Sequence, residues 1–236
     1  MTQLTSNTKL ASGAYFITGT DTDVGKTICT KALLQAANKQ NKSTLAYKPI
    51  SAGCEETVEG LRNQDALILQ QNSSIKVDYD AVNPIAYKQT IAPHIAAFEN
   101  QLMIDTNRID KGLVFLKQKK PQLLLIEGAG GWHLPINNQQ LLSEWVIENQ
   151  LPVILVVGLK LGCLNHALLT AQAIQQSGLT ISGWIANHLQ PDMPFVQQNI
   201  STLKGFINAP CLAEIPFLEE INEQDLSSYI DVVFEV

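Results

Sequence analysis

The residues Gly19-Thr20-Asp21-Thr22-Asp23-Val24-Gly25-Lys26-Thr27 bring together what a phosphate anion needs. Glycines let backbone amides approach a ligand closely, a lysine reaches outer phosphate oxygens, and a threonine hydroxyl suits Mg2+. The stretch follows an apolar run over 14–18 and leads into a helical pattern over 28–40. Strand, glycine-bounded loop and helix make a phosphate cradle, because loop amides and the positive end of the helix dipole meet the anion. Five residues separate Gly19 from Gly25, one more than the usual G-x-x-x-x-G-K-[ST] spacing. A chance Gly-Lys-Thr on a surface turn is the competing reading, and the flanking strand and helix weigh against it.

Other groups with chemistry stand where apolar runs end. Glu127 closes the run over 123–127 and is followed by Gly128, Ala129, Gly130 and Gly131. Paired with Thr27, it is a natural site for Mg2+, which takes oxygen ligands from one or two carboxylates and phosphates. A surface salt bridge at a strand end is the plainer alternative for Glu127. Asp65 is a third candidate ligand, with an exposed helix acid as its alternative. Lys48 ends a strand just before Pro49. Alone it reads as a solvated tip. Near Lys26 it is a second positive charge aimed at a phosphoryl transfer. His94, His133, His166 and His188 have no metal-ligand spacing, so they read as capping or packing residues.

The elements that must hold these groups alternate. Strands are expected over 14–18, 43–48, 123–127, 153–157, 181–187 and 211–215. Helices are expected over 28–40, 61–70, 106–118, 165–176 and about 194–206, with Thr106 as an N-cap. Alternating strands and helices imply an α/β fold, a mainly parallel sheet with right-handed crossovers and helices on both faces. Ligands then bind at the carboxyl ends of the strands. That rim collects the loop over 19–27, Lys48, Glu127, the loop over 158–165 and Asn187.

The chain has 236 residues, enough for one domain with a sizeable core. Charged residues make up 16% and apolar ones 45%, which excludes disorder. A net charge of −6, with no basic run longer than Lys119-Lys120, argues against nucleic acid or an anionic membrane as partner. No apolar run approaches membrane-spanning length. The cysteines are far apart, so reduced thiols in the cytoplasm are expected. Residues 1–13 read as a flexible leader and 14–236 as the P-loop domain.

Taken together, the motifs resemble the dethiobiotin synthetase family, over residues 15 to about 229. Gly19 to Thr27 is similar to the family's long phosphate loop, extra residue included. Tyr47-Lys48-Pro49, the stretch from Glu59 to Leu67 with Asp65, and Glu127-Gly128-Ala129-Gly130-Gly131-Trp132 are similar to its next segments. Gly162-Cys163-Leu164-Asn165-His166-Ala167 and Gly183-Trp184-Ile185-Ala186-Asn187 resemble two later blocks.

The resemblance implies a P-loop enzyme that joins 7,8-diaminopelargonate and CO2, with ATP as co-substrate, into the cyclic urea of dethiobiotin. It implies that Thr27, Asp65 and Glu127 hold Mg2+ and that Lys48 is catalytic beside Lys26. Asp23, Val24, Gly25, Lys26, Thr27 and Ile28, with Glu127, Gly128, Ala129 and Gly130, would line the nucleotide. Asn187, His188, Pro216, Phe217, Leu218 and Glu223 would surround its base and ribose. The diamine would meet Thr22, Lys48 and Ala52, and its carboxylate tail the amides of Gly162, Cys163, Leu164 and Asn165. A homodimer is implied, since in the family that tail reaches the partner subunit. At one position the chain departs from the family. Ala52 stands where the family usually has Ser or Thr, and the nearest hydroxyl is Ser51.

Two other readings share the loop. A partitioning or switch ATPase would need a surface for DNA, membrane or a protein partner, and no basic patch or amphipathic tail provides one. An amide-forming synthase of the same fold usually carries a glutaminase domain, for which the chain has no room.

Overall fold

The computed structural model describes residues 8–219 and 224–235. The first half of the chain runs β1 Lys9–Leu10, β2 Gly13–Gly19, α1 Lys26–Lys39, β3 Thr44–Tyr47, β4 Ile50–Ser51, β5 Glu55–Thr57 and β6 Gly60–Arg62. It continues through α2 Gln64–Asn72, α3 Tyr79–Val82, β7 Ile85–Ala86, α4 Pro93–Glu99 and α5 Thr106–Gln118. The second half is β8 Leu123–Gly131, α6 Leu142–Glu148, β9 Val153–Leu159, α7 Cys163–Gln176, β10 Ile181–His188, α8 Val196–Phe206, β11 Cys211–Ile215 and β12 Val233–Phe234.

A six-stranded sheet in the order β11-β10-β9-β2-β8-β3 forms the centre, and every pairing in it is parallel. Its strands are continuous apolar runs because both faces are covered. Alternation splits each strand between two cores. Leu124, Ile126, Leu155 and Val157 face one cluster, with residues of α4 to α8. Leu123, Leu125, Ile154 and Val156 face the other, built on α1. At the sheet's carboxyl edge, β2 releases the phosphate loop, β3 releases Lys48, and β8 carries Glu127 opposite Ile17.

Several local expectations change. The segment expected as a leader pairs from Lys9 onward: β1 lies parallel to β12 and Leu10 is buried. Residues 1–7 lie outside the described part. The helix expected over 61–70 starts later, because residues 60–62 form a hairpin strand with β5. Asn63 caps α2, its side chain accepting from the Ala66 amide. Thr106 is the first residue of α5; the cap is Asp105, which accepts from the Asn107 amide. Short, polar β5 and β6 carry no apolar alternation that would reveal them.

Candidate active site

The phosphate loop is shaped by one backbone requirement. Gly25, the residue before α1, has φ 85. A Cβ there would lie 2.1 Å from Asn187 Nδ2, so only glycine fits without displacing that side chain. Asn187 is buried and donates through Nδ2 to the Val24 carbonyl at 2.9 Å, so the end of β10 holds the loop. Lys26, also buried, donates to the Asp21 carbonyl at 3.1 Å. Burial pushes its ammonium below the ordinary lysine value; Glu127 opposes the shift and Lys48 adds to it. Asp21 accepts from the Lys160 ammonium at 2.9 Å and from the Thr22 amide at 2.8 Å. The Lys160 hydrogen bond is the main reason its carboxyl lies below its usual range.

Lys48, 4% exposed, meets two carboxylates at the head of β3. Its Nζ donates to Glu127 Oε1 at 2.6 Å and lies 3.1 Å from Asp65 Oδ2. Burial works against its charge, yet Glu127 and then Asp65 outweigh it and hold Lys48 above its ordinary value. For Asp65, burial favours the neutral acid, but Lys48 prevails and holds the carboxyl below its usual range.

Glu127 is fully buried. Its Oε1 accepts from Lys48 and, at 2.8 Å, from the Thr27 hydroxyl. Its Oε2 is buried with no hydrogen-bond partner among the described residues. An orphaned carboxylate oxygen is costly to bury, so its position fits a bound cation. Thr27, Asp65 and Glu127 therefore present a hydroxyl and two carboxylates, the hard oxygen donors that suit Mg2+. Among the described residues, no group of three His, Cys, Asp or Glu could hold a metal ion. Two carboxylates are enough for a cation that keeps waters and takes phosphate oxygens.

These groups border one cavity of about 690 Å3. Thr22, Asp23, Gly25, Lys26, Thr27 and Ile28 line it from the loop side. Lys48 after β3, Ala52 after β4, Asp65 on α2, and Glu127, Ala129 and Gly130 on β8 line it from the other side. Val24 is buried beneath the loop, and Gly128 packs against the Phe16 ring, where a Cβ would be 2.7 Å from Cζ. Neither is part of the lining.

Other expected residues lie elsewhere on the rim. His188 Nε2 is 2.9 Å from Glu214 Oε1 at the end of β10. Pro216, Phe217 and Leu218 follow β11; Phe217 is exposed and Leu218 packs against the α1 core. Glu223 lies outside the described residues. Gly162 precedes α7 in a left-handed conformation, and Cys163 is buried. Residues 162–165 do not border the cavity.

Sequence reading missed Asn63 and Thr90 in the cavity wall and the Asp21–Lys160 pair beside it. Asn63 carried a usable signal, since asparagine before an acidic first turn is a cap pattern. Ser51 turns inward: its hydroxyl donates to Asn83 Oδ1 at 2.8 Å. At position 52 only a methyl group and the backbone are available.

The AAA domain family model AAA_26 matches residues 13–225. The ATP-dependent dethiobiotin synthetase BioD of Aeromonas hydrophila is 48% identical over 93% of this chain and 97% of its own length. ATP-dependent dethiobiotin synthetase BioD 1 of Escherichia coli O157:H7 is 49% identical over 89% of this chain and 92% of its own. Among solved structures, the MinD cell division protein of Aquifex aeolicus covers 93% of this chain at 13% identity, with a TM-score of 0.55. That likeness is one of fold alone. A phosphate loop, a parallel sheet delivering Lys48 and Glu127 to it, and near-half identity along almost the whole chain agree: the chain belongs to the ATP-dependent dethiobiotin synthetase family.

Proposed function

We propose that this chain closes the cyclic urea of dethiobiotin from 7,8-diaminopelargonate, CO2 and ATP, releasing ADP and phosphate. The observation that carries the reading is the buried Lys48, held by Glu127 and Asp65 in the cavity that Lys26 also lines. One amine of the diamine captures CO2 as a carbamate and loses a proton. A carbamate oxygen attacks the γ-phosphorus, ADP leaves, and a carbamic–phosphoric anhydride remains. The second amine attacks the carbonyl, phosphate leaves with the oxygen, and the ring closes.

Carbamate and γ-phosphate are both anionic, so the reaction is limited by bringing like charges together. Lys26 and Lys48 offset that repulsion and set the attacking oxygen in line. The pairing with Glu127 keeps Lys48 charged despite its burial. Thr27, Asp65 and Glu127 would hold Mg2+, which when bound neutralises phosphate charge and fixes its orientation. The phosphate loop binds the triphosphate through its amides and Lys26. Asn187, His188, the 216–218 turn and Glu223 take the base and ribose.

Thr22 and the Ala52 backbone meet the diamine. Its carboxylate tail goes to the amides of residues 162–165, and the working unit is a homodimer. Two features support a second copy there: residues 162–165 stand apart from the cavity lining, and Leu161 and Leu169 are exposed beside them. The enzyme works in a reducing cytoplasm, in keeping with four unpaired cysteines. No described helix is long and apolar enough to cross a membrane.

The test is ADP release with diamine, bicarbonate and Mg2+ each omitted in turn. Turnover should require all three, and hydrolysis indifferent to the diamine would sink the ligase reading. In the same assay Lys48→Gln keeps a donor for Glu127 but removes the charge. It should lower kcat by about 100-fold or more while ATP affinity changes little. Equal losses of both would make Lys48 a nucleotide contact only.

A further inference from the structure

Behind the cavity wall, a buried side-chain network joins the two elements that carry Lys48 and Asp65. Asn83, 3% exposed, uses both ends of its amide. Its Nδ2 donates to the Lys48 carbonyl at 2.6 Å; its Oδ1 accepts from the Ser51 hydroxyl at 2.8 Å and the Tyr79 hydroxyl at 3.0 Å. The Tyr79 oxygen accepts from the Asn63 amide at 2.7 Å. Asn63 is the residue whose side chain caps α2, and Asp65 sits in that helix's first turn. Arg62 lies over the Tyr79 ring, 4.3 Å from its centre, and the Lys48 amide donates to the Val82 carbonyl at 2.8 Å. The path from Lys48 through Asn83, Tyr79 and Asn63 thus returns to Lys48 across its contact with Asp65.

This closed circuit holds two charged groups that come from separate elements. Lys48 leaves a strand end and Asp65 enters with a helix, so their own backbones do not set the distance between them. The buried hydrogen bonds do, because breaking any link leaves a polar group unpaired in the interior. Arg62 further limits where the Tyr79 ring can move. We propose that Asn83 and Tyr79 are positioning residues that set the Lys48–Asp65 separation, and through it the placement of the Lys48 charge at the transferring phosphate. The proposal rests on the ligase reading above. Neither residue borders the cavity; each acts through Lys48 and Asp65, which do.

Tyr79→Phe is the clean test, since it removes one hydroxyl and keeps the ring beneath Arg62. Its thermal midpoint should stay within a few degrees of the parent. Its kcat should fall about tenfold with KM for ATP little changed, the size expected when a charged group drifts by a fraction of an ångström. Amide exchange at residues 63–66 should quicken without general loss of protection. Combining Tyr79→Phe with Asp65→Ala should cost no more than Asp65→Ala alone, because the tyrosine works through the aspartate. Additive losses, or an unchanged kcat, would overturn the positioning role. Unchanged exchange at residues 63–66 would overturn it independently of turnover. A wild-type protein lacking diamine-dependent ADP release would instead remove the ligase reading. Asn83→Asp keeps the acceptor but loses the donor to Lys48, so it should show the same kcat defect.

Discussion

Glu127 and Lys48 form the kind of pair whose members depend on each other. Both are buried, and the desolvation of each charge is offset by the other, by Asp65 beside Lys48, and by nearby hydrogen bonds. Asp65 differs, because its side chain is 45% exposed. Its pairing with Lys48 is therefore worth about 1 kcal/mol or less after solvent screening. The carboxyl of Asp65 is held below its ordinary range in the folded protein, so the unfolded chain takes up the proton first as pH falls. The stability contributed by its charge is complete above the unfolded value of about 4 and fades as pH drops through the lower folded value. Urea titrations should therefore find a constant difference between wild type and Asp65→Asn from pH 8 to 5, closing only below about pH 4. A difference that closed between pH 5 and 7 would mean that Lys48 does not hold the Asp65 charge.

At the scale of elements, α1 decides whether the loop can receive a phosphate. The helix begins at Lys26, so Lys26 and Thr27 belong to its first turn and Gly25 is the left-handed residue just before it. The sequence pattern over 28–40 started the helix late, because apolar spacing begins only at Ile28. Gly25→Ala should test the left-handed step directly. Its methyl group would meet Asn187 Nδ2 and force an unfavourable φ. Strain of about 1–3 kcal/mol there should weaken ATP binding roughly tenfold or more in a calorimetric titration. Wild-type affinity in that variant would separate the start of α1 from the phosphate seat.

The central strands were legible because their apolar runs are long and end in turn residues or polar groups. The β5–β6 hairpin and α6 were not. The hairpin is short and largely polar; α6 has only 7 residues, too few to show a clear helical period. The site was legible in part for the same reason. Lys26, Thr27, Lys48 and Glu127 each follow or close a readable strand. Tyr79 opens the four-residue α3 and Asn83 follows it, in a stretch whose sequence signals are only the Asn83-Pro84 and Ala92-Pro93 breaks.

For the whole molecule, the first and last described strands, β1 and β12, pair beside α1. Gln40 donates to the Val232 carbonyl and accepts from the Phe234 amide, while Gln35 accepts from the Leu226 amide. With β1 against β12, these contacts tie both outer strands to the helix that starts at the phosphate loop. Sedimentation velocity at assay concentrations should find twice the chain mass, and Leu169→Glu should shift it toward the monomer while raising KM for the diamine. A monomeric wild type with full activity would discard the shared site.

By itself the sequence determined the order of the six central strands and the longer helices between them, the phosphate loop with its extra residue, and the rim on which Lys48 and Glu127 had to fall. Those follow from local periodicity and from strand ends, which are properties of neighbouring residues. Only the tertiary structure decided which charges pair and what holds them apart. Lys48 and Glu127 are 79 positions apart, Thr27 and Glu127 are 100, and Lys48 and Asn83 are 35. No local pattern encodes partners at such distances. They meet because parallel strands bring their carboxyl ends to one edge, and burial there makes every unpaired polar atom costly.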